Sequence, residues 1–171
     1  MRASDVADLL DLLADPRVSR ALYTIPQPVT RVWVADWIKR HGGEAETGDG
    51  LLMLARDISG AATGFVDLQV WPERASAEFG GGIRADLQSA SMGTRGAAAL
   101  FDWLFDGVGI RLIAMTNALD NVRTARLLAS LDYCRLADRQ CATPSGAMRP
   151  SMYWELSRDD WRARRAEIRN Q

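Results

Sequence analysis

The chain has 171 residues, a formal net charge of −1, 47% hydrophobic and 25% charged residues. That length has room for one domain with a sizeable core, residues 1–171 read together, and the composition excludes disordered and fibrous classes. The near-zero charge supplies no field to steer the chain onto nucleic acid or an anionic membrane, and two cysteines with the single histidine His41 make neither a disulfide framework nor a metal site.

Asp5, Asp8, Asp11 and Asp15 occupy the start of the chain, where a signal peptide needs an uninterrupted apolar segment. The most apolar stretch, GAAALFDWLFDGVGI, is broken by Asp102 and Asp106 well short of a membrane span of roughly 18–20 residues. A cytoplasmic protein is expected, with no membrane partner. Residues 4 to 14 place Val6, Leu9, Leu10 and Leu13 on one face of an amphipathic helix, with Ser4 or Asp5 available to cap it. After a link broken by Pro26 and Pro28, Thr30 caps a second helix that is expected to run to Arg40 and end at Gly42 and Gly43. His41 then falls in a polar helix end, KRHGG, a poor place for a catalytic triad member. Trp33 and Trp37, four apart, share a helix face that either packs on the core or lines a substrate pocket.

Three strand candidates follow at 51–57, 62–71 and 75–85, joined by short turns as an antiparallel meander. The loop DLQSASMGTRG leads to a helix at about 92–107, a short strand at 110–116, a helix at 121–131 and a closing hairpin from YCRLADRQCA and RPSMYWEL. Ser157 caps a last helix, whose RARRAEIR reads as a solvated face balanced by Asp159, Asp160 and Glu167, so nucleic acid is not an expected partner. The order implies an α+β fold: a mixed, mainly antiparallel sheet flanked by helices and containing one parallel crossover.

A strand, a small-residue loop and a helix can hold a phosphate on backbone N–H groups at the helix N-terminus. Gln88-Ser-Ala-Ser91-Met-Gly93 resembles the Q/R-x-x-G-x-G/A pyrophosphate loop of the GNAT superfamily of acetyl-CoA-dependent N-acyltransferases, with Ser91 where a glycine is usual. NVRTARLLASLDY, residues 121–133, resembles the N-x-x-S-x-R-V-L-x-x-L-G-F stretch of its ribosomal-protein N-acetyltransferase (Rim-type) branch. Thr124 there replaces serine, Asp132 replaces glycine and Tyr133 replaces phenylalanine. Asp132 tests whether a left-handed backbone is needed, which aspartate tolerates better than most residues. AEFGGGI resembles the family's glutamate-bearing strand.

The resemblance implies acetyl-CoA as cosubstrate and a primary amine as acceptor, either a protein N-terminus or a small molecule. It places the cofactor on Gln88, Ser89, Ala90, Ser91, Met92, Gly93, Thr94 and Asn121, with Gly82 or Ile83 offering a backbone N–H to the thioester carbonyl. Glu78 would be the general base, or a salt-bridged strand glutamate; Thr124 and Tyr133 would face the departing thiolate, or be ordinary helix and packing residues. Rim-type chains open with a strand that is not seen here before the first helix. A sheet lacking it would expose an edge that a second copy of the chain could cover, as a homodimer. A non-catalytic acyl-CoA-binding or interaction module is the alternative reading.

Overall fold

The structure is a computed structural model that describes residues 1–20, 22–143 and 146–169; the side chains of residues 90, 91 and 167–169 are not described. The chain forms two compact units, one from Met1–Pro72 with Phe79–Gln88, the other from Glu73–Glu78 with Ser89–Gln171. Six strands are hydrogen-bonded in the order β1-β2-β3-β4-β6-β5: β1 (Gly50–Arg56), β2 (Ala62–Trp71), β3 (Ser76–Ile83), β4 (Leu112–Ala118), β5 (Cys134–Ala142) and β6 (Met148–Ser157). β3 and β4 are parallel; the pairs β1/β2, β4/β6 and β5/β6 are antiparallel. The expected mixed, mainly antiparallel sheet with one crossover is therefore observed. No strand precedes β1 among the described residues, and none of the described helices is long and apolar enough to cross a membrane.

In the first unit, α1 (Val6–Ala14) buries Val6, Leu9, Leu12 and Leu13 against a core that includes Val34, Trp37, Leu52 and Phe65. Arg56 on β1 pairs with Asp5 at 2.7 Å and Asp8 at 2.6 Å, fixing the start of α1 against that strand. The short α2 (Pro16–Ser19) is capped by Asp15, and α3 (Arg31–Thr47) by Thr30, whose hydroxyl accepts from Trp33 N as expected. α3 does not end at Gly42 and Gly43. Both are exposed, and the helix passes through them to Gly48, which takes the left-handed conformation at φ 82°. A glycine stops a helix when it adopts that conformation, and neither Gly42 nor Gly43 does. His41 is buried, its Nε2 3.1 Å from Asp67 Oδ1; its Nδ1 lies 2.7 Å from Glu44 Oε2 without the alignment of a hydrogen bond. The polar helix end expected around His41 is thus a buried clamp between α3 and β2. Trp37 is core, and Trp33 stacks on it with ring centroids 4.9 Å apart.

In the second unit, α4 (Ala90–Asp102) continues as a π-helical turn over Trp103–Val108, and α5 (Val122–Ser130) and α6 (Arg158–Arg169) follow. Phe101, Leu104, Ile113, Leu128 and Leu156 are almost wholly buried. Trp161 of α6 packs edge-to-face on Phe101 and donates its indole N–H to Asp102 Oδ1 at 2.8 Å. Ser157 caps α6 as expected, accepting from Asp160 N. The arginines of α6 are balanced from outside the helix: Arg162 pairs with Asp106, Arg164 with Asp132 and Arg165 with Asp102.

Candidate active site

In β3 the pairing with β4 covers Ser76–Glu78 against Leu112–Ala114. Glu78 closes that stretch as the last β3 residue of the second unit. Alternation along β4 buries Ile113, Met115 and Asn117 and leaves Leu112, Ala114 and Thr116 half-buried on the other face. Thr116 donates its hydroxyl to Glu78 Oε1 at 2.9 Å, so the carboxylate is held by a neighbour on β4. Sequence reasoning missed Thr116: the period-two pattern of RLIAMTN sets its face, but only the β3/β4 register brings it to Glu78.

Tyr133 lies between α5 and β5 and is only 5% exposed, its ring edge-to-face with Phe101. Its hydroxyl is buried and has no hydrogen-bond partner among the described residues. Burial, and then the charge of Glu78, raise this phenol well above the ordinary tyrosine range. An orphaned buried hydroxyl is costly unless something accepts from it. A bound group presenting a developing negative charge would satisfy it.

α5 begins at Asn121, whose side-chain oxygen accepts from Thr124 N at 3.1 Å. Thr124 is half-buried in the first helical turn. Asn117 supports this end: its amide donates to the Ala118 and Asn121 carbonyls, and its oxygen accepts from the Trp154 indole at 2.7 Å. Asp132 adopts φ 62° just past α5, so the left-handed backbone that a glycine serves in the motif is present with an aspartate in it.

The residues expected to form a pyrophosphate loop lie at the head of α4. Ser89 is its N-cap, accepting from Met92 N at 3.2 Å, and the Ser89 carbonyl accepts from Gly93 N at 3.1 Å. Thr94 follows in the same turn region, and a Cβ on Gly93 would make only ordinary contact with Leu127. Ala90 and Ser91 fall within the span of α4, but their side chains lie outside the described residues. Glu78, Ser89–Thr94, Asn121, Thr124 and Tyr133 all belong to the second unit.

Gly82, Ile83 and Gln88 belong to the first. There Gln88 Nε2 donates to the Ile83 carbonyl at 2.9 Å. The glycine run has a steric reason in this unit, because a Cβ at Gly81 would strike the Phe65 carbonyl and one at Gly82 would stand 2.7 Å from Val18 Cγ1.

On the half-buried face of β6, Tyr153 donates to Glu155 Oε1 at 2.6 Å, and the Arg139 guanidinium lies 3.9 Å from the Tyr153 ring centroid. Burial, with the bond to Glu155 and its charge, pushes the Tyr153 phenol up to about 12.

The fold and a glutamate-bearing strand beside a buried tyrosine describe an acyltransferase of the GNAT type. Residues 1–133 match the family described as "Acetyltransferase (GNAT) domain", and the chain belongs to it. Among curated proteins, none matches the chain in sequence. Solved structures share the fold at low identity. The ribosomal-protein-S5-alanine acetyltransferase from Vibrio fischeri is 15% identical with a TM-score of 0.77, covering 94% of this chain and 92% of that one. A spermidine N-acetyltransferase chimera from Vibrio cholerae and hSSAT is 13% identical with a TM-score of 0.78, over 94% of each chain. The microcin C7 self immunity acetyltransferase MccE, in complex with acetyl-CoA and AMP, is 12% identical with a TM-score of 0.77, over 91% and 88%. Acetyl-CoA is the acyl donor of this family.

Proposed function

We propose that the protein is an acetyl-CoA-dependent N-acetyltransferase that acts on a primary amine by direct attack on the thioester. The observation that carries this reading is the pairing of Glu78, held by Thr116, with an orphaned Tyr133 hydroxyl in the field of the Glu78 charge. Ser89–Thr94 and Asn121 are the residues of the second unit that would hold acetyl-CoA, which supplies the acetyl thioester when bound. The acceptor is a peptide N-terminus, which the Asn121–Tyr133 motif favours, or a small-molecule amine.

An α-amino group titrates near roughly 8 and a lysine-like amine near about 10.4, so the acceptor arrives largely protonated. Glu78 hydrogen-bonds the ammonium and helps relay that proton through water to solvent, and it takes the far more acidic proton that the nitrogen carries once it has bonded to the thioester carbon. Tyr133 has a different task. A thiol titrates near about 8.5, below even an ordinary phenol, so handing the tyrosine proton to a thiolate is uphill. Tyr133 therefore keeps its proton and donates a hydrogen bond where negative charge collects on sulfur.

Calorimetry with acetyl-CoA and a free-thiol assay over amines and peptides test the reading. Glu78→Gln should bind acetyl-CoA as the wild type does while kcat/KM falls about 10²- to 10⁴-fold. A Glu78→Gln enzyme within threefold of wild type would remove Glu78 as the base. Acetyl-CoA binding with no thiol release from any acceptor would instead leave a non-catalytic binding module.

A further inference from the structure

We infer that the C-terminal helix α6 serves catalysis: Trp161 and Arg164 are positioning residues that fix where the Tyr133 hydroxyl stands. This rests on the reading above, in which that hydroxyl donates to the departing thiolate. The Tyr133 hydroxyl has no hydrogen-bond partner among the described residues, so no polar contact of the protein aims it. Its place is set by the packing of its ring and by the backbone just before it, and α6 reaches both. Trp161, Arg164 and Arg165 stand three and four residues apart along α6 and share one side of the helix.

The first route is aromatic. Tyr133 meets Phe101 edge-to-face with centroids 5.7 Å apart, and the same Phe101 ring meets Trp161 edge-to-face at 5.2 Å. All three side chains are buried, so none has open solvent to move into. Trp161 is itself bracketed: its indole N–H donates to Asp102 Oδ1 at 2.8 Å, while Arg165 pairs with Asp102 Oδ2 at 2.7 Å and lies 5.8 Å from the Trp161 ring centroid. Asp102 follows Phe101 in the chain, so the bracket fixes Trp161 against the ring that it supports. The second route is the backbone. Asp132 holds φ 62°, an unfavourable conformation for a residue other than glycine, and Arg164 pairs with its carboxylate at 3.0 Å. Tyr133 is the next residue, its N–H donating to the Leu128 carbonyl at 3.1 Å, so a rotation at Asp132 swings the tyrosine. Close-packed interiors transmit such shifts, and a misplacement of about 1 Å at a reacting group can cost roughly 100-fold in rate. Because the hydroxyl is needed only when charge collects on sulfur, the effect of α6 falls on kcat and spares acetyl-CoA affinity.

The test is a double-mutant cycle on kcat, with acetyl-CoA and the best acceptor from the amine and peptide panel. Tyr133→Phe alone should lower kcat about tenfold or more. In the wild-type background Trp161→Leu should lower kcat about tenfold and Arg164→Gln about threefold, with acetyl-CoA affinity by calorimetry held within about twofold. In the Tyr133→Phe background neither should lower kcat further, because the group they position is gone. Unchanged kcat in both variants, or the same loss in both backgrounds, makes α6 merely structural and overturns the inference while leaving the N-acetyltransferase reading standing. Trp161→Phe keeps an aromatic ring against Phe101 and should recover most of the kcat lost in Trp161→Leu. Arg164 is partly exposed, so its variant tests the second route even where Trp161→Leu fails to fold. A Tyr133→Phe enzyme with wild-type kcat removes the task of the tyrosine and the inference with it. If no amine is acetylated, nitration of Tyr133 followed by mass spectrometry replaces kcat: faster modification in Arg164→Gln than in the wild type supports the coupling, and equal rates count against it.

Discussion

Among the described residues, two non-glycine residues carry left-handed backbone, and they answer differently to substitution. Ala75 sits at φ 47° just before β3, where its carbonyl accepts from Arg111 N and Leu112 N. Alanine gains nothing from that conformation, so Ala75→Gly should stabilise the protein by about 0.5–1 kcal/mol, read from the urea midpoint. Asp132 at φ 62° is also ion-paired to Arg164 at 3.0 Å, both side chains well exposed. Asp132→Gly relieves strain but loses an exposed pair worth up to about 1 kcal/mol, leaving stability nearly level. Asp132→Val, β-branched in the same backbone, should lose about 1–2 kcal/mol. At this scale the motif was informative: the glycine usually found after Leu131 announced a backbone requirement that the structure shows.

At the scale of elements, capping chemistry and period marked most of the helices and strands, while their limits depended on tertiary partners. Thr30 and Ser157 cap the helices that the sequence assigned to them. The end of α3 was misplaced because KRHGG is polar by composition, and only Asp67 on β2 explains why His41 is buried. His41→Ala would leave Glu44 and Asp67 facing a void without the imidazole between them. We expect a loss of about 2 kcal/mol in chemical unfolding, less than for a fully buried pair because both carboxylates are about a quarter exposed. Adding Glu44→Gln to His41→Ala should restore part of it, and a double-mutant cycle measures the coupling. The candidate site was half legible for the same reason. Glu78 and Tyr133 could be named from motifs, but Thr116 enters only through strand register, which no local pattern specifies.

For the whole molecule, two tyrosines tie stability to alkaline pH. A phenol whose folded pKa is raised binds its proton more tightly in the native state. Its contribution is therefore fully present below the unfolded value near about 10, and is lost as pH rises through the folded value. For Tyr153 that window runs from about 10 to about 12, and for Tyr133 it also opens upward from the ordinary phenol range. The urea midpoint should fall as pH is raised through this window, and should fall less in Tyr153→Phe. An identical decline in the variant would remove Tyr153 from the linkage. The buried Asn117 has a consequence of another kind. Its oxygen fixes the Trp154 indole, and its amide holds the Asn121 carbonyl at the head of α5. One of the six tryptophan N–H groups is thereby wired to a residue named for cofactor contact. In a proton–nitrogen correlation spectrum of the indole region, the Trp154 signal becomes a built-in gauge of whether that end of the molecule is occupied, readable without any label beyond nitrogen-15.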